Sequence, residues 1–335
     1  MVRWNLEDIY SFKDTSALIA SVRKLSEEFA GFRSRLTPAL SPDAFVQMVK
    51  KKEEIAVLMA KLQGFAGLWL SENTADAKRN AHESKISELA AEVSNVMVFF
   101  DVWFKGLDDT TASKYIRASG PYNYLLRQMR AFKPHTLGEK EEQVISLKDL
   151  TGCQELVRLY DMVANKFTFE WKGKSMTLEE VNKFKQSPSR EDRKQSYDLV
   201  LGRYAAEQDV LGEMYKGIVN DWRNEQVKLR KFSRPISVRN LSNDVPDAAV
   251  ETLLSVVRKN TGVFERYYQM KGKLLGLKKF DRYDLYAPFS PKERRYSFDE
   301  CKDLTLGTYR QFGEQAFRYA KKIFDDKHVH SEVSK

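Results

Sequence analysis

Apolar residues recur at steps of three and four along most of the chain, which is the spacing of an amphipathic helix. The first such stretch follows a capping cluster at Asp14, Thr15 and Ser16 and predicts a helix that ends near the TPAL segment at residues 37–40. Its stripe consists of Leu18, Val22, Leu25, Phe29 and Phe32.

Two further long helices follow at once. Ser41, Pro42 and Asp43 supply an N-cap, a proline at the first helical position and an acid in the first turn of a helix predicted to reach about Leu70. The next begins near residues 74–76, and its stripe consists of Ile86, Leu89, Val93, Val96, Phe100 and Trp103. Three long helices with short connections predict an antiparallel array.

The pattern changes between residues 111 and 187. A helix is predicted over 122–130, and Thr136 with Glu139 has the spacing of a capping box. Phe167, Phe169 and Trp171 then alternate ahead of a turn at Lys172, Gly173 and Lys174, which predicts a small hairpin. A second capping-box pattern, Thr177 with Glu180, follows it.

The last part of the chain returns to helical spacing. Continuous helices are predicted over 190–232, 247–275 and 297–324, and the alternating segment KHVHSEVSK at 327–335 has the pattern of an edge strand. The predicted fold class is all-α, a multi-lobed helical array with one small β-hairpin. The predicted domains are an N-terminal lobe at 1–110, a small middle lobe at 111–187 and a third domain at 188–335.

Composition narrows the class of protein. A chain of 335 residues with 42% apolar content can bury real cores. It has no run of about 18 apolar residues and no secretory signal at its start, so we expect a soluble cytoplasmic protein. Cys153 and Cys301 lie far apart without CxxC spacing, which predicts two free thiols rather than a disulfide or a cysteine zinc site.

The net charge of +9 is concentrated late in the chain, because residues 258–335 hold 18 Lys/Arg against 11 Asp/Glu. A basic face can attract nucleic acid or acidic peptides, although a solvated face or one matched by a partner is the commoner case. The aromatic and basic segment at 266–286 could stack bases. Helical spacing of Tyr267, Met270, Leu274 and Leu277 favours a buried helix instead.

The pair His82-Glu83 resembles the start of a His-Glu-x-x-His zinc motif. That motif needs a second imidazole one turn later, so that both rings reach one metal. Ile86 occupies that position in this chain. The sequence therefore predicts that His82 lies at the edge of a helix seam.

The other histidines give weaker signals. His135 precedes a capping threonine and is expected to serve a helix start, while His328 and His330 could bind a metal on one strand face with Glu332. A frayed tail or a plain strand is the simpler interpretation of that pair. The acidic pairs are expected to be solvated helix faces or turns; they are Glu53-Glu54, Asp108-Asp109 and Asp325-Asp326.

Five segments, in order along the chain, resemble the oligoendopeptidase F group of thimet-type zinc oligopeptidases. They are WNLEDIY at 4–10, KPHTLGEKEEQVI at 133–145, FSRPISVRNLSNDVPDAAVETLL at 232–254, FERYYQMKGKLLGLKKFDRYDLYAP at 264–288 and FDDKHVHSEVSK at 324–335. The resemblance covers essentially the whole chain. It implies a helical peptidase in which a catalytic domain surrounds a deep peptide channel.

The family's chemistry, as the resemblance implies it, uses one zinc held by both histidines of a His-Glu-x-x-His helix and by a downstream glutamate. The motif's own glutamate acts as general base toward the zinc-bound water. In relatives this helix lies beyond the segment that HVHSEV resembles, whereas this chain stops at Lys335. We therefore assign no catalytic, cofactor-binding or metal residue to the chain.

The expected function is that of the front portion of such a peptidase, a wall of the channel, inactive alone and without bound zinc. Its expected partners are short peptides in the complete enzyme, with no membrane, and nucleic acid is not expected. Two alternatives stay open. One is half of a split peptidase that a second polypeptide completes. A truncated reading of an ordinary full-length gene is the simpler explanation of the same chain end. The other is a non-catalytic helical binding module with a basic C-terminal face.

Overall fold

Side-chain caps begin the second and third long helices near the predicted positions, whereas the first has no side-chain cap hydrogen bond. The computed structural model describes residues 3–37, 39–290 and 296–331. Ser41 Oγ accepts a hydrogen bond from the Ala44 N–H over 3.2 Å, and Asp76 accepts from the N–H groups of Lys78 and Arg79. The first six helices are α1 (Thr15–Ala30), α2 (Pro42–Glu72), α3 (Ala77–Gly106), α4 (Asp109–Ala118), α5 (Asn123–Ala131) and α6 (Glu139–Thr151).

The prediction of a Thr136–Glu139 capping box is wrong. Thr136 Oγ1 donates to the Phe132 carbonyl over 2.8 Å, and Glu139 is the first residue of α6 and pairs with Arg33. A short 3₁₀ helix at Lys133–His135 directs the Thr136 hydroxyl back toward residue 132, away from the start of α6.

The hairpin forms as predicted. Strands β1 (Phe169–Trp171) and β2 (Lys174–Met176) pair antiparallel, with Phe169 opposite Met176. Lys172 and Gly173 form the turn, both with positive φ, whereas Lys174, predicted in the turn, is the first residue of β2 and pairs with Trp171. The Thr177–Glu180 capping box also forms, with both reciprocal hydrogen bonds present.

The predicted long helices of the third part are each interrupted. The remaining helices are α7 (Cys153–Ala164), α8 (Leu178–Asn182), α9 (Arg190–Ala206), α10 (Gln208–Trp222), α11 (Pro235–Ser242), α12 (Asp247–Lys259), α13 (Thr261–Leu274), α14 (Phe298–Phe312) and α15 (Glu314–Asp325). A π-helical stretch at Arg223–Leu229 follows α10. The helix predicted over 190–232 is thus broken at Glu207, that over 247–275 at Asn260 and that over 297–324 at Gly313.

These breaks differ in how far the residue type explains them. Asn260 ends α12 with its side-chain amide donating to the Val256 carbonyl over 2.7 Å. Gly313 is extended between α14 and α15, and glycine is the weakest helix former after proline. Glu207 carries no such signal, since its residue type favours helix.

The predicted edge strand is wrong for the residues that the structure describes. Residues 328–331 form no strand, and residues 332–335 lie outside the described ranges. The segment instead lies against the start of the chain: the Asn5 N–H donates to the Lys327 carbonyl over 2.8 Å, His328 pairs with Asp8, and His330 packs on Trp4.

The chain divides into two compact units. Unit 1 comprises Met1–Leu147 and Arg295–Lys335, and unit 2 comprises Lys148–Arg294. The main core of unit 1 lies among α1, α2 and α3, where Phe29, Phe45 and Phe100 are fully buried in an aromatic cluster. Unit 2 has a small core around Phe167, Phe169 and Val181. The all-α class with one small hairpin is confirmed; the three-part domain division stays a prediction.

Candidate functional site

His82 lies in the seam between α2 and α3, as predicted. Its ring packs against Trp69 at 5.5 Å and Phe12 at 5.4 Å between centroids, and Ile86, one turn later, is 1% exposed. Its Nε2 is buried and has no hydrogen-bond partner among the described residues. Burial, followed by the Lys85 charge, lowers the pKa of His82, and Glu83 opposes that shift. The imidazole is therefore a half-buried group that is neutral at pH 7.

The other histidines contact separate parts of unit 1. His135 ends a short 3₁₀ helix. His328 Nε2 lies 3.0 Å from Asp8 Oδ2, and His330 packs on the Trp4 ring at 4.9 Å. Glu332, the predicted third member of the His328–His330 set, lies outside the described residues. No described histidine joins a group of three ligand atoms close enough to share a metal.

The candidate acidic pairs have ordinary structural roles. Asp108 caps α4 by accepting from the Thr111 N–H over 2.9 Å, and Tyr122 Oη donates to Glu53. Asp325 and Asp326 form ion pairs one helical turn along α15, with Lys321 and Lys322. The prediction of helix faces and turns is confirmed for these positions.

The structure contains a carboxylate cluster in unit 2 that was not predicted from the sequence. One oxygen each of Asp149, Asp221 and Glu225 lies within 4.8 Å of the others. Asp149 is in the last turn of α6, Asp221 is near the end of α10, and Glu225 is in the π-helical stretch. The four-residue spacing of Asp221 and Glu225 was visible, but the approach of Asp149 comes from the tertiary fold.

Electrostatics within this cluster are unfavourable for full ionisation. Burial, followed by the charges of Glu225 and Asp221, raises the pKa of Asp149 to about 6, with Arg230 opposing. Arg230 Nε donates to Glu225 Oε1 over 2.7 Å and so offsets one of the three charges. Burial and the same three carboxylates raise the pKa of the Cys153 thiol, which is therefore a poor nucleophile.

The described residues do not fit the zinc that the family implies. The family site needs two imidazoles and a carboxylate, whereas the carboxylate cluster offers oxygen atoms only. Its one nearby thiol is held protonated, and none of the four histidines lies in it. No catalytic step can therefore be routed through a metal held by these residues.

A buried ion-pair network in unit 2 positions the aromatic loop at residues 281–287. Asp284 accepts hydrogen bonds from Arg190 and Arg193 of α9. Lys271 of α13 donates from Nζ to the Leu285 carbonyl over 2.7 Å, and burial, followed by the Arg193 charge, lowers its pKa. The network joins α9, the loop and α13, which gives it a structural role.

A groove of about 510 Å³ runs between β1 and α9. Its two basic residues are already matched, since Lys194 pairs with Asp198 at 2.6 Å and Arg203 pairs with Glu207 at 2.9 Å. The groove offers polar contact but no nucleophile with an adjacent base.

Comparison with known proteins defines the class of this fold as that of the helical oligopeptidases. A family model described as Oligopeptidase F matches residues 103–169. Oligopeptidase PepF of Bacillus subtilis is 21% identical over 97% of this chain and 50% of its own length. Group B oligopeptidase PepB of Streptococcus agalactiae is 20% identical over 99% of this chain and 57% of its own. The crystal structure of oligoendopeptidase-F from Enterococcus faecium matches with a TM-score of 0.72 and 18% identity, over 94% of this chain and 60% of that one.

The chain is similar over nearly its whole length to oligoendopeptidase F peptidases, in agreement with the five segments. It spans about half the length of the curated relatives that it matches. Within the described ranges, every helix is too short or too polar to cross a membrane.

Proposed function

We propose that residues 1–335 form the front portion of an oligoendopeptidase F-like zinc peptidase, which hydrolyses short peptides in an enclosed channel. In this proposal the chain builds a wall of the channel and holds no zinc. Zinc, when bound by the complete enzyme, lowers the pKa of its water and polarises the scissile carbonyl. The residues of this chain contribute the surrounding fold, and alone they do not hydrolyse peptides.

One observation carries this proposal. The match to Bacillus subtilis PepF covers 97% of this chain but only 50% of the relative, and the described residues hold no set of two imidazoles and a carboxylate. We also propose a cytoplasmic location, because a chain whose two cysteines do not pair needs no oxidising compartment to fold.

Zinc stoichiometry tests the proposal. Purified chain 1–335 is incubated with equimolar zinc, desalted and analysed by elemental mass spectrometry. We expect substoichiometric zinc that is unaffected by the double substitution His328→Gln/His330→Gln. One firmly held zinc per chain would contradict the proposal, and its loss in the double variant would locate the site.

The surface area of the chain indicates that further polypeptide packs on it, and in a second candidate a separate polypeptide supplies this zinc half. Its accessible surface is 21817 Å². A compact monomer of 38.9 kDa exposes roughly 14,000 Å², and even two wholly separate units of half that mass expose only roughly 17,000 Å² in total. The excess is thus about 5,000 Å² on this chain alone, which is more than one partner of a typical obligate interface buries, roughly 1,000–2,500 Å².

Co-expression tests this second candidate. The chain and a polypeptide carrying the zinc half should associate and together cleave a quenched fluorescent peptide in a chelator-sensitive reaction. Two halves that stay apart and inactive would count against a split enzyme, and would leave a continuous polypeptide as the form in which the two halves meet.

A further inference from the structure

The apolar side of α12 faces outward instead of into unit 2. Leu253, Leu254 and Val257 lie on one side of this helix by helical spacing, and all three are exposed, Leu253 to 62%. A solvated amphipathic helix normally turns its apolar side to the protein core. No residue of α12 is buried. The helix is therefore built to pack against something else.

The next helix repeats the arrangement. Val263, Tyr267, Met270 and Leu274 form one seam along α13, and all are exposed, Leu274 to 67%. The helical spacing of Tyr267, Met270 and Leu274 predicts a buried helix, and that prediction is wrong. The other side of α13 is held by buried Lys271 and Gly272, the latter close to the Phe280 ring. The helix is thus firmly placed while its apolar seam stays open.

We propose that the exposed stripes of α12 and α13, here called the α12–α13 surface, are the docking site for amphipathic helices of the complementary peptidase half. This inference rests on the proposed function and adds the place where the two halves meet. The occupant follows from two observations. The matching solved chain from Enterococcus faecium is covered to only 60%, so its fold contains more chain than this one supplies. The excess surface of about 5,000 Å² is larger than the share that one partner of a typical obligate interface buries, and much larger than a transient contact needs.

A binding experiment tests the α12–α13 surface. The probe is the half of Bacillus subtilis PepF that this chain's match leaves uncovered, co-expressed with tagged chain 1–335 and analysed by native mass spectrometry. We expect a one-to-one complex. Leu253→Asp should weaken it by about tenfold or more, because a charge then enters a desolvated apolar contact. Thr252→Asp is the matched control, an exposed position on the opposite side of α12, and should leave binding unchanged.

Methionine oxidation gives an independent reading. Met270 in the α13 seam and Met162 in α7 are similarly exposed, at 50% and 48%. Peroxide should oxidise both at similar rates in the isolated chain, and the complex should protect Met270 more than Met162. Equal protection of both residues would contradict the proposal.

Three results would overturn the docking site. They are the absence of a complex, a complex that Leu253→Asp leaves intact, and a homodimer of chain 1–335 that Leu253→Asp dissolves, since a second copy would then be the occupant. Failure of the proposed function is seen separately, as zinc bound or peptides cleaved by the chain alone. Far-UV circular dichroism of Leu253→Asp should match the wild type, because the position is exposed.

Discussion

Arg193 Nη2 donates to Asp284 Oδ1 over 3.0 Å, and the two side chains are 4% and 0% exposed. Burial alone would raise the pKa of Asp284, but hydrogen bonds from Arg190, the Asp281 backbone and Arg193 outweigh it and hold the pKa below its usual range. The carboxylate therefore stays ionised in the interior of unit 2. It fixes the loop at 281–287 to α9.

Asp284→Asn should destabilise unit 2 by about 3–5 kcal/mol, because it leaves buried Arg193 without its counter-charge, while Arg190 keeps Asp281. Urea unfolding, combined with hydrogen exchange of α9, measures the loss. Asp198→Asn is the control, since its exposed pair with Lys194 should contribute at most about 1 kcal/mol. Similar losses in the two variants would show that the buried network has no special role.

The carboxylate cluster predicts a pH dependence with an unusual sign. Asp149 keeps its proton up to a pH of about 6 in the folded protein, whereas an unfolded aspartate releases it near about 3.9. The folded state thus binds more protons in this window, so stability falls as pH rises from about 4 to about 6. Asp149→Asn should remove that loss and stabilise unit 2 at pH 8 by up to about 3 kcal/mol.

Urea midpoints between pH 4 and pH 8 measure this effect. The gain from Asp149→Asn should disappear near pH 4, where the native aspartate is already protonated. Asp161→Asn, at an exposed position in α7 of the same unit, should change stability by no more than about 0.5 kcal/mol at any pH. A gain that is independent of pH would contradict the proposed repulsion.

His82 should give the stability of unit 1 the opposite dependence on pH. Its pKa is lowered by burial in the folded state, so the unfolded chain takes up a proton first, and stability is lost as pH falls below about 6.5. His82→Phe should remove this part of the pH dependence and also the buried Nε2 that lacks a partner. Thermal unfolding at pH 5.5 and pH 8 compares the variant with the wild type. Parallel profiles for the two proteins would refute the assignment.

Replacement of glycine by alanine should have opposite effects on stability at Gly173, in the hairpin turn, and at Gly202, in α9. Gly173 has φ of +80°, so Gly173→Ala should cost about 1–2 kcal/mol. Gly202 lies inside α9 with open space where a Cβ would sit, so Gly202→Ala should stabilise by about 0.5–1 kcal/mol. Chemical denaturation of unit 2 measures both. Equal signs would contradict the backbone account.

Local chemistry was readable from the sequence where neighbouring residues determine it. Ser41 and Thr177 cap their helices as predicted, because the cap and its partner N–H lie within three residues. The turn at Lys172 and Gly173 formed for the same reason. Thr136 is the exception, because a preceding 3₁₀ turn gave its hydroxyl another acceptor.

Features that depend on distant residues were not readable. Asp149 meets Asp221 across 72 positions of the chain, and Arg193 meets Asp284 across 91. The spacing of Tyr267 and Met270 correctly predicted a helix, yet periodicity reports only that a stripe exists and not whether this chain covers it. The break at Glu207 lies at a residue that favours helix, so it too depends on the tertiary fold.

We propose that residues 1–335 have the fold of the front half of an oligoendopeptidase F-like peptidase without its zinc site. The most direct test is hydrolysis of a quenched fluorescent peptide by purified chain 1–335, with added zinc and again with a chelator. We expect no cleavage above the buffer background in either condition. Zinc-dependent cleavage that the chelator abolishes would contradict the claim.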